Sequence, residues 1–289
     1  RGLDVVDAAI EQHDPDVIVN FFEPLGGAYA AWHQPRVPFV CVAHQYMFHH
    51  PRYQFPPRHW FNRWGARTFA HLTAWGAETK LALSLYPADD RPDDDLVVLP
   101  PLLRDEVLRR PVGQTEPFYL VYILNSGYAR EVVRWHEAHP EVPLHCFWDR
   151  TGAAEIEHYD DTLTFHQLDD VRFVDLMARC RGLVCTAGFE SVGEAMYLGK
   201  PVQVVPVDNH YEQWCNAHDT VRAGAGIRST AFDIDRLRRY QADYAPDAES
   251  FRTWMHEARP RFVREIERAA EAVGAADVSE TAALRPVAS

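Results

Sequence analysis

Between residues 185 and 201 the chain reads CTAGFESVGEAMYLGKP, which sets a hydroxyl, Ser191, three residues ahead of a carboxylate, Glu194. The apolar run Gly182-Leu183-Val184 leads into a turn of small residues, Thr186-Ala187-Gly188, and a helical pattern follows as far as Gly199 and Pro201. At such a strand-to-helix turn the first helical amides point outward and carry roughly half a positive charge. Gly188 lets phosphates approach the backbone closely, and Ser191 adds a hydroxyl. Glu194, one turn deeper, can accept hydrogen bonds from two vicinal hydroxyls of a pentose. The plain alternative is a set of ordinary polar contacts at a helix start.

Two more polar turns close neighbouring apolar runs. PVDNHYEQWCNA (206–217) places Asn209, His210, Glu212 and Gln213 directly after PVQVVPV, and Asn125-Ser126-Gly127 ends FYLVYIL. Ligands of open α/β sheets bind beyond the carboxyl ends of the strands. Three hydrogen-bonding turns on one such edge suit the many fixed hydroxyls of a nucleotide sugar.

The elements that must position these residues alternate along the chain. Apolar runs at 16–22, 37–44, 95–101, 118–124, 143–148, 162–167 and 201–207, with GLVCTA before the helix at 189, are separated by helical patterns. The runs do not alternate with polar residues, so they read as strands of parallel sheets covered on both faces. The expected fold is α/β, with two Rossmann-like domains facing a cleft. Residues 1–100 form the first domain and 118–230 the second. Four prolines between Pro100 and Pro117 mark 101–117 as a connector. Helices are expected over 231–272, and a disordered tail over 273–289.

Composition sets outer bounds. With 47% hydrophobic and 25% charged residues in 289, the chain is that of a globular protein. A net charge of −13 argues against a nucleic-acid surface, which needs clustered cations. Five cysteines form no C-x-x-C pair, so a reducing cytoplasm is expected. No run is long enough to span a membrane. Asp93-Asp94-Asp95 contains a D-x-D but lies among Asp89, Asp90 and prolines, and reads as a solvated loop. The histidines show no metal-ligand pattern. The segment YMFHHPRYQFPPRHWFNRWGARTF (46–69) interleaves aromatics with arginines. It reads as a loop with an amphipathic helix packed on the sheet, or else as a surface for peripheral contact with the inner membrane face.

The stretch TAGFESVGEAMYLGKPVQVVPVDNHYEQWCNA resembles the donor-binding motif of GT-B glycosyltransferases. The nearest likeness is to the bacterial group related to the lipid-linked GlcNAc transferase of peptidoglycan synthesis and to the UDP-glucuronosyltransferases. The shared order runs through Gly188, Ser191, Glu194-Ala195, Gly199-Lys200-Pro201, Glu212-Gln213 and Asn216-Ala217. PDVIVNFFEPLGGAYAAWHQPRVPFVCVAHQ resembles the later strands of that group's acceptor domain, with Asn20 where an acidic residue usually falls.

The resemblance implies inverting transfer of a sugar from a nucleotide donor, UDP in the first instance, to a hydroxyl acceptor: a saccharide, a lipid or a small molecule. No cofactor and no metal is expected, because helix N-termini and backbone donors neutralise the departing diphosphate. Gly188, Phe189 and Ser191 would meet the diphosphate and Glu194 the ribose. Glu212 and Gln213 would read the sugar, and the turn from Phe165 to Leu168 would pack the base. The family's general base falls upstream of residue 1, so the first domain is expected to be incomplete at its N-terminus. Glu23 and His44 are the local candidates for that role. Two other readings stay open: a nucleotide-sugar epimerase or hydrolase of the same shape, and a non-catalytic nucleotide-sugar-binding protein.

Overall fold

The computed structural model describes residues 2–57, 60–123 and 126–283, with side chains as far as 271. The backbone divides into two compact units, one holding residues 1–53, 58–101 and 254–289, the other 54–57 and 102–253. Residues 102–117, expected as a connector, therefore belong to the second unit.

The first unit opens with α1 (Gly2–His13), β1 (Ile18–Asn20), α2 (Pro24–His33), β2 (Phe39–Ala43), α3 (Trp60–Thr73), β3 (Thr79–Leu83) and β4 (Leu96–Leu99). The strands pair in parallel in the order β1-β2-β3-β4. Every residue of β2 and β4 is buried, which is why these runs are apolar without alternation. Asn20, ending β1, is a structural clasp. Its amide donates to the carbonyls of Glu23 (3.1 Å) and Thr73 (2.8 Å), and its oxygen accepts from the Glu23 amide. A side chain at Gly27 would run into the Leu72 carbonyl at 2.2 Å, so only glycine lets α2 lie this close to α3. Trp60, Phe61 and Trp64 at the start of α3 face solvent.

The second unit continues with α4 (Asp105–Leu108), β5 (Tyr119–Ile123), α5 (Ala129–Glu137), β6 (Leu144–Trp148), β7 (Ile156–His158), β8 (Leu163–Gln167), α6 (Asp170–Arg179) and β9 (Leu183–Cys185). Then come α7 (Phe189–Tyr197), β10 (Val202–Val204), α8 (Tyr211–Arg222), β11 (Gly226–Arg228), α9 (Ile234–Ala242) and α10 (Ala248–Met255). Its sheet has the order β11-β10-β9-β5-β6-β8-β7, parallel except for the edge strand β7. The order reverses at β5, which pairs with β6 on one side and β9 on the other. That is a topological switch point, where strand ends splay and leave a crevice.

Side chains along these strands alternate between the two faces of the sheet. Tyr119, Val121 and Ile123 of β5, Cys146 and Trp148 of β6, and Leu163 and Phe165 of β8 join one core with Val132 of α5 and Leu237 of α9. Tyr122 and Phe147 therefore turn to the opposite face, where their rings meet Phe173 of α6 at 5.1 and 5.3 Å.

The last helix, α11 (Ala258–Ala283), returns to the first unit and packs on β2 and β4. Arg261 grips both oxygens of Asp90 at 3.1 and 3.0 Å. The region expected to be a disordered tail from 273 is thus helical as far as Ala283. No helix among the described residues is long and apolar enough to cross a membrane.

Candidate functional site

A cavity of about 330 Å³ opens in the second unit beside the switch point. Tyr122 and Phe147 form its floor, and Leu168, Asp169, Asp170 and Phe173 supply the wall from the start of α6. Gly188, Glu190, Ser191 and Glu194 line it from α7, and Leu102 and Arg104 close it from the segment after β4.

Along this sheet edge the starts of α6, α7 and α8 differ. Asp169 caps α6 by accepting from the Arg172 amide at 2.7 Å, and His210 caps α8 by accepting from the Gln213 amide at 3.4 Å. At α7 the cap position is Gly188, which brings no side chain to the amides of the first turn. That helix start opens on the cavity. The Ser191 hydroxyl stands there, a long 3.8 Å from the Cys185 sulfur. The turn itself is braced from behind, where Asn216 of α8 donates to the Ala187 carbonyl at 3.0 Å. Gly199, with φ of 70°, ends α7 in the left-handed conformation that favours glycine.

Glu194 is in the cavity wall but is not open to it. Its side chain is only 4% exposed, and Arg104 donates to both carboxylate oxygens, Nε to Oε1 at 2.6 Å and Nη2 to Oε2 at 2.7 Å. Those bonds raise the Arg104 pKa above the ordinary arginine value. Arg104 Nη1 also reaches Asp170 Oδ1 at 3.2 Å, although the Asp170 side chain is 94% exposed. Burial likewise pushes the Tyr122 phenol upward. Around the cavity Asp169, Asp170, Glu190 and Glu194 face one guanidinium among the lining residues.

The other expected site residues are more dispersed. Ser126 and Gly127 form a helical turn just after β5, and Asn125 lies outside the described residues. Leu168 lines the cavity, whereas Phe189 is buried in the first turn of α7. Phe165 belongs to the other face of the sheet, stacked on Trp148 at 4.2 Å. There it borders a second cavity of about 570 Å³ between α5 and β7. Strand alternation puts it there, so its ring is a core residue on the face away from Tyr122. Asn209 adopts φ of 61°, and the Gln213 side-chain oxygen accepts from the Val207 amide at 2.8 Å. The polar groups of His210 and Gln213 thus shape their own loop, and neither they nor Asn209 and Glu212 line the cavity.

In the first unit, Glu23 precedes α2 and His44 begins a helical turn after β2. They follow the carboxyl ends of two adjacent parallel strands, paired Asn20 to Cys41. The D-x-D aspartates form an exposed turn in which Asp94 pairs with Arg91. Among the described residues, no three His, Cys, Asp or Glu side chains converge on a possible metal position.

A sequence profile of glycosyl transferase family 1 matches residues 3–242, which is most of the chain and includes every residue of the cavity. The chain belongs to that family. This glycosyltransferase has the GT-B-type pair of α/β units, and solved structures bear out the fold. The glycotransferase of kitacinnamycin is 20% identical, with a TM-score of 0.59 over 92% of this chain and 79% of that one. The glycosyltransferase VinC, in complex with dTDP, is 18% identical with a TM-score of 0.57 over 93% and 75%. The spinosyn forosaminyltransferase SpnP is 14% identical with a TM-score of 0.56 over 92% and 80%. No curated protein matches the sequence.

Proposed function

We propose that this glycosyltransferase binds a nucleoside diphosphate sugar in the cavity of its second unit and transfers the sugar to a hydroxyl acceptor with inversion. The observation that carries the reading is the start of α7, which lacks a side-chain cap and opens on a cavity beside the Ser191 hydroxyl. Helix N-termini attract anions through their dipole and their unsatisfied amides. A diphosphate bound there keeps that stabilisation as charge builds on it during departure, without help from a metal.

The rest of the donor fits around this anchor. The pentose falls toward Arg104 and Glu194, and the base toward Leu168 and the aromatic floor. UDP and thymidine diphosphate are both candidates. The motif over 183–217 resembles that of UDP-sugar enzymes, whereas related solved structures include VinC with dTDP and the spinosyn rhamnosyltransferase with thymidine diphosphate. Glu212 and Gln213 are assigned to the sugar through their loop. Glu23 and His44 of the first unit remain the candidates for general base. The five free cysteines, all buried, suit a reducing cytoplasm.

The reading is tested by incubating the protein with a panel of nucleotide sugars and hydroxyl acceptors, and following glycosylated product by mass spectrometry. Product formed with an inverted anomeric centre supports it. Nucleotide release without transfer across the whole panel would show a hydrolase instead.

A further inference from the structure

We infer that Arg104 masks Glu194, so that the pocket holds the donor's pentose without selecting for a 2′-hydroxyl. The inference deepens the donor reading above and rests on it. A ribose presents two vicinal O–H groups, and a carboxylate can accept both. Here both oxygens of Glu194 are already engaged by one guanidinium, at 2.6 and 2.7 Å. The side chain is 4% exposed, so little of the carboxylate is open to the cavity.

Opening the fork for a diol would break two charge-assisted bonds, which are the stronger kind. Arg104 would then keep only its 3.2 Å contact to Asp170, a side chain 94% in solvent, where the attraction is screened. A 2′-deoxypentose asks for no such opening. What the cavity offers a pentose is the guanidinium itself, a third exposed and rich in N–H donors. Those donors serve ring and hydroxyl oxygens alike. Arg104 therefore acts as a positioning residue that fixes which partner the pentose meets. It lies 90 residues ahead of Glu194, in the segment after β4 and outside the strand-turn-helix that carries Gly188, Ser191 and Glu194.

The test compares calorimetric affinities for two same-base pairs, UDP with dUDP and GDP with dGDP, on the full chain. For whichever pair binds the wild type, the ribo and deoxy forms should agree within about threefold. Arg104→Gln releases the carboxylate and should favour the ribo form by about tenfold. Glu194→Gln should weaken both forms to the same degree, and this arm decides the matter if Arg104→Gln does not fold. Selective loss of the ribo form in Glu194→Gln overturns the inference, because it places the diol on Glu194 directly. So does an Arg104→Gln protein whose ribo-to-deoxy ratio is unchanged. A wild type that binds no nucleoside diphosphate refutes the donor reading first, and the masking with it.

Discussion

Breaking the pair between Arg104 and Glu194 should cost very different amounts depending on which partner is removed. Arg104→Gln leaves the Glu194 carboxylate, 4% exposed, without the guanidinium that pairs with both its oxygens. Stranding a buried charge in this way costs about 3–5 kcal/mol, with the lower end fitting here because the glutamine amide can restore one hydrogen bond. Glu194→Gln instead leaves a guanidinium that is 33% exposed and still 3.2 Å from Asp170. Water and Asp170 then take up the freed donors, and the cost is about 1–2 kcal/mol. In a unit of this size 1 kcal/mol moves Tm by about 2–4 °C, so Arg104→Gln should melt roughly 6–12 °C below wild type. Glu194→Gln should fall only about half as far or less. The double variant should be about 2 kcal/mol more stable than the two single losses added together, as expected for residues in direct contact. Scanning calorimetry, supported by urea melts, reads all three. Equal losses in the single variants, or strict additivity in the double, would refute a buried bidentate pair.

Three further outcomes follow from the same geometry. Glu190→Gln removes a carboxylate from the first turn of α7 and so relieves about 1 kcal/mol of repulsion, which should tighten nucleoside diphosphate binding about fivefold at low salt; unchanged calorimetric affinity would count against a diphosphate at this turn. Phe165→Ala should cost about 3–5 kcal/mol of stability while the folded protein keeps its nucleotide affinity, whereas weaker binding at unchanged Tm would put the ring in the base site. Burial, with the neighbouring His145 at 2.9 Å, holds His166 neutral down to a pKa of about 4, against 6.5 for an ordinary histidine. The unfolded chain therefore binds more protons than the folded one between these values, so stability should drop as pH falls through that window. His166→Gln should flatten the slope in a pH series of thermal melts, and an unaltered slope would contradict the burial of the ring.

The second unit was legible because its buried parallel strands are plain apolar runs, each closed by a polar or small-residue turn. The strands that escaped notice lack that signature. β3, TKLAL, carries Thr79 and Lys80 although it lies between β2 and β4. β7 is a three-residue edge strand open to solvent, and β11 is three residues long. At the site, the placement of Gly188, Ser191 and Glu194 on one strand-turn-helix could be read from the sequence because that geometry is local. Arg104 could not. It sits in a proline-bracketed stretch that resembles a linker, and its meaning comes from a contact made across 90 residues. The polar loop at 209–213 was legible in part. Its side chains were legible as hydrogen-bonding groups, but sequence does not show that His210 and Gln213 direct theirs to the backbone of their own loop.

The central claim is that the mouth of α7 captures a diphosphate. The most direct measurement is a calorimetric ladder of nucleoside, monophosphate and diphosphate on the wild type and on Ser191→Asp. Affinity should climb with each phosphate, with the diphosphate at least about tenfold tighter than the monophosphate. The aspartate, placing negative charge at the same turn, should erase that gain while leaving the nucleoside unaffected. A wild-type protein that binds nucleoside and diphosphate equally well, or a Ser191→Asp protein that keeps the full climb, would contradict it.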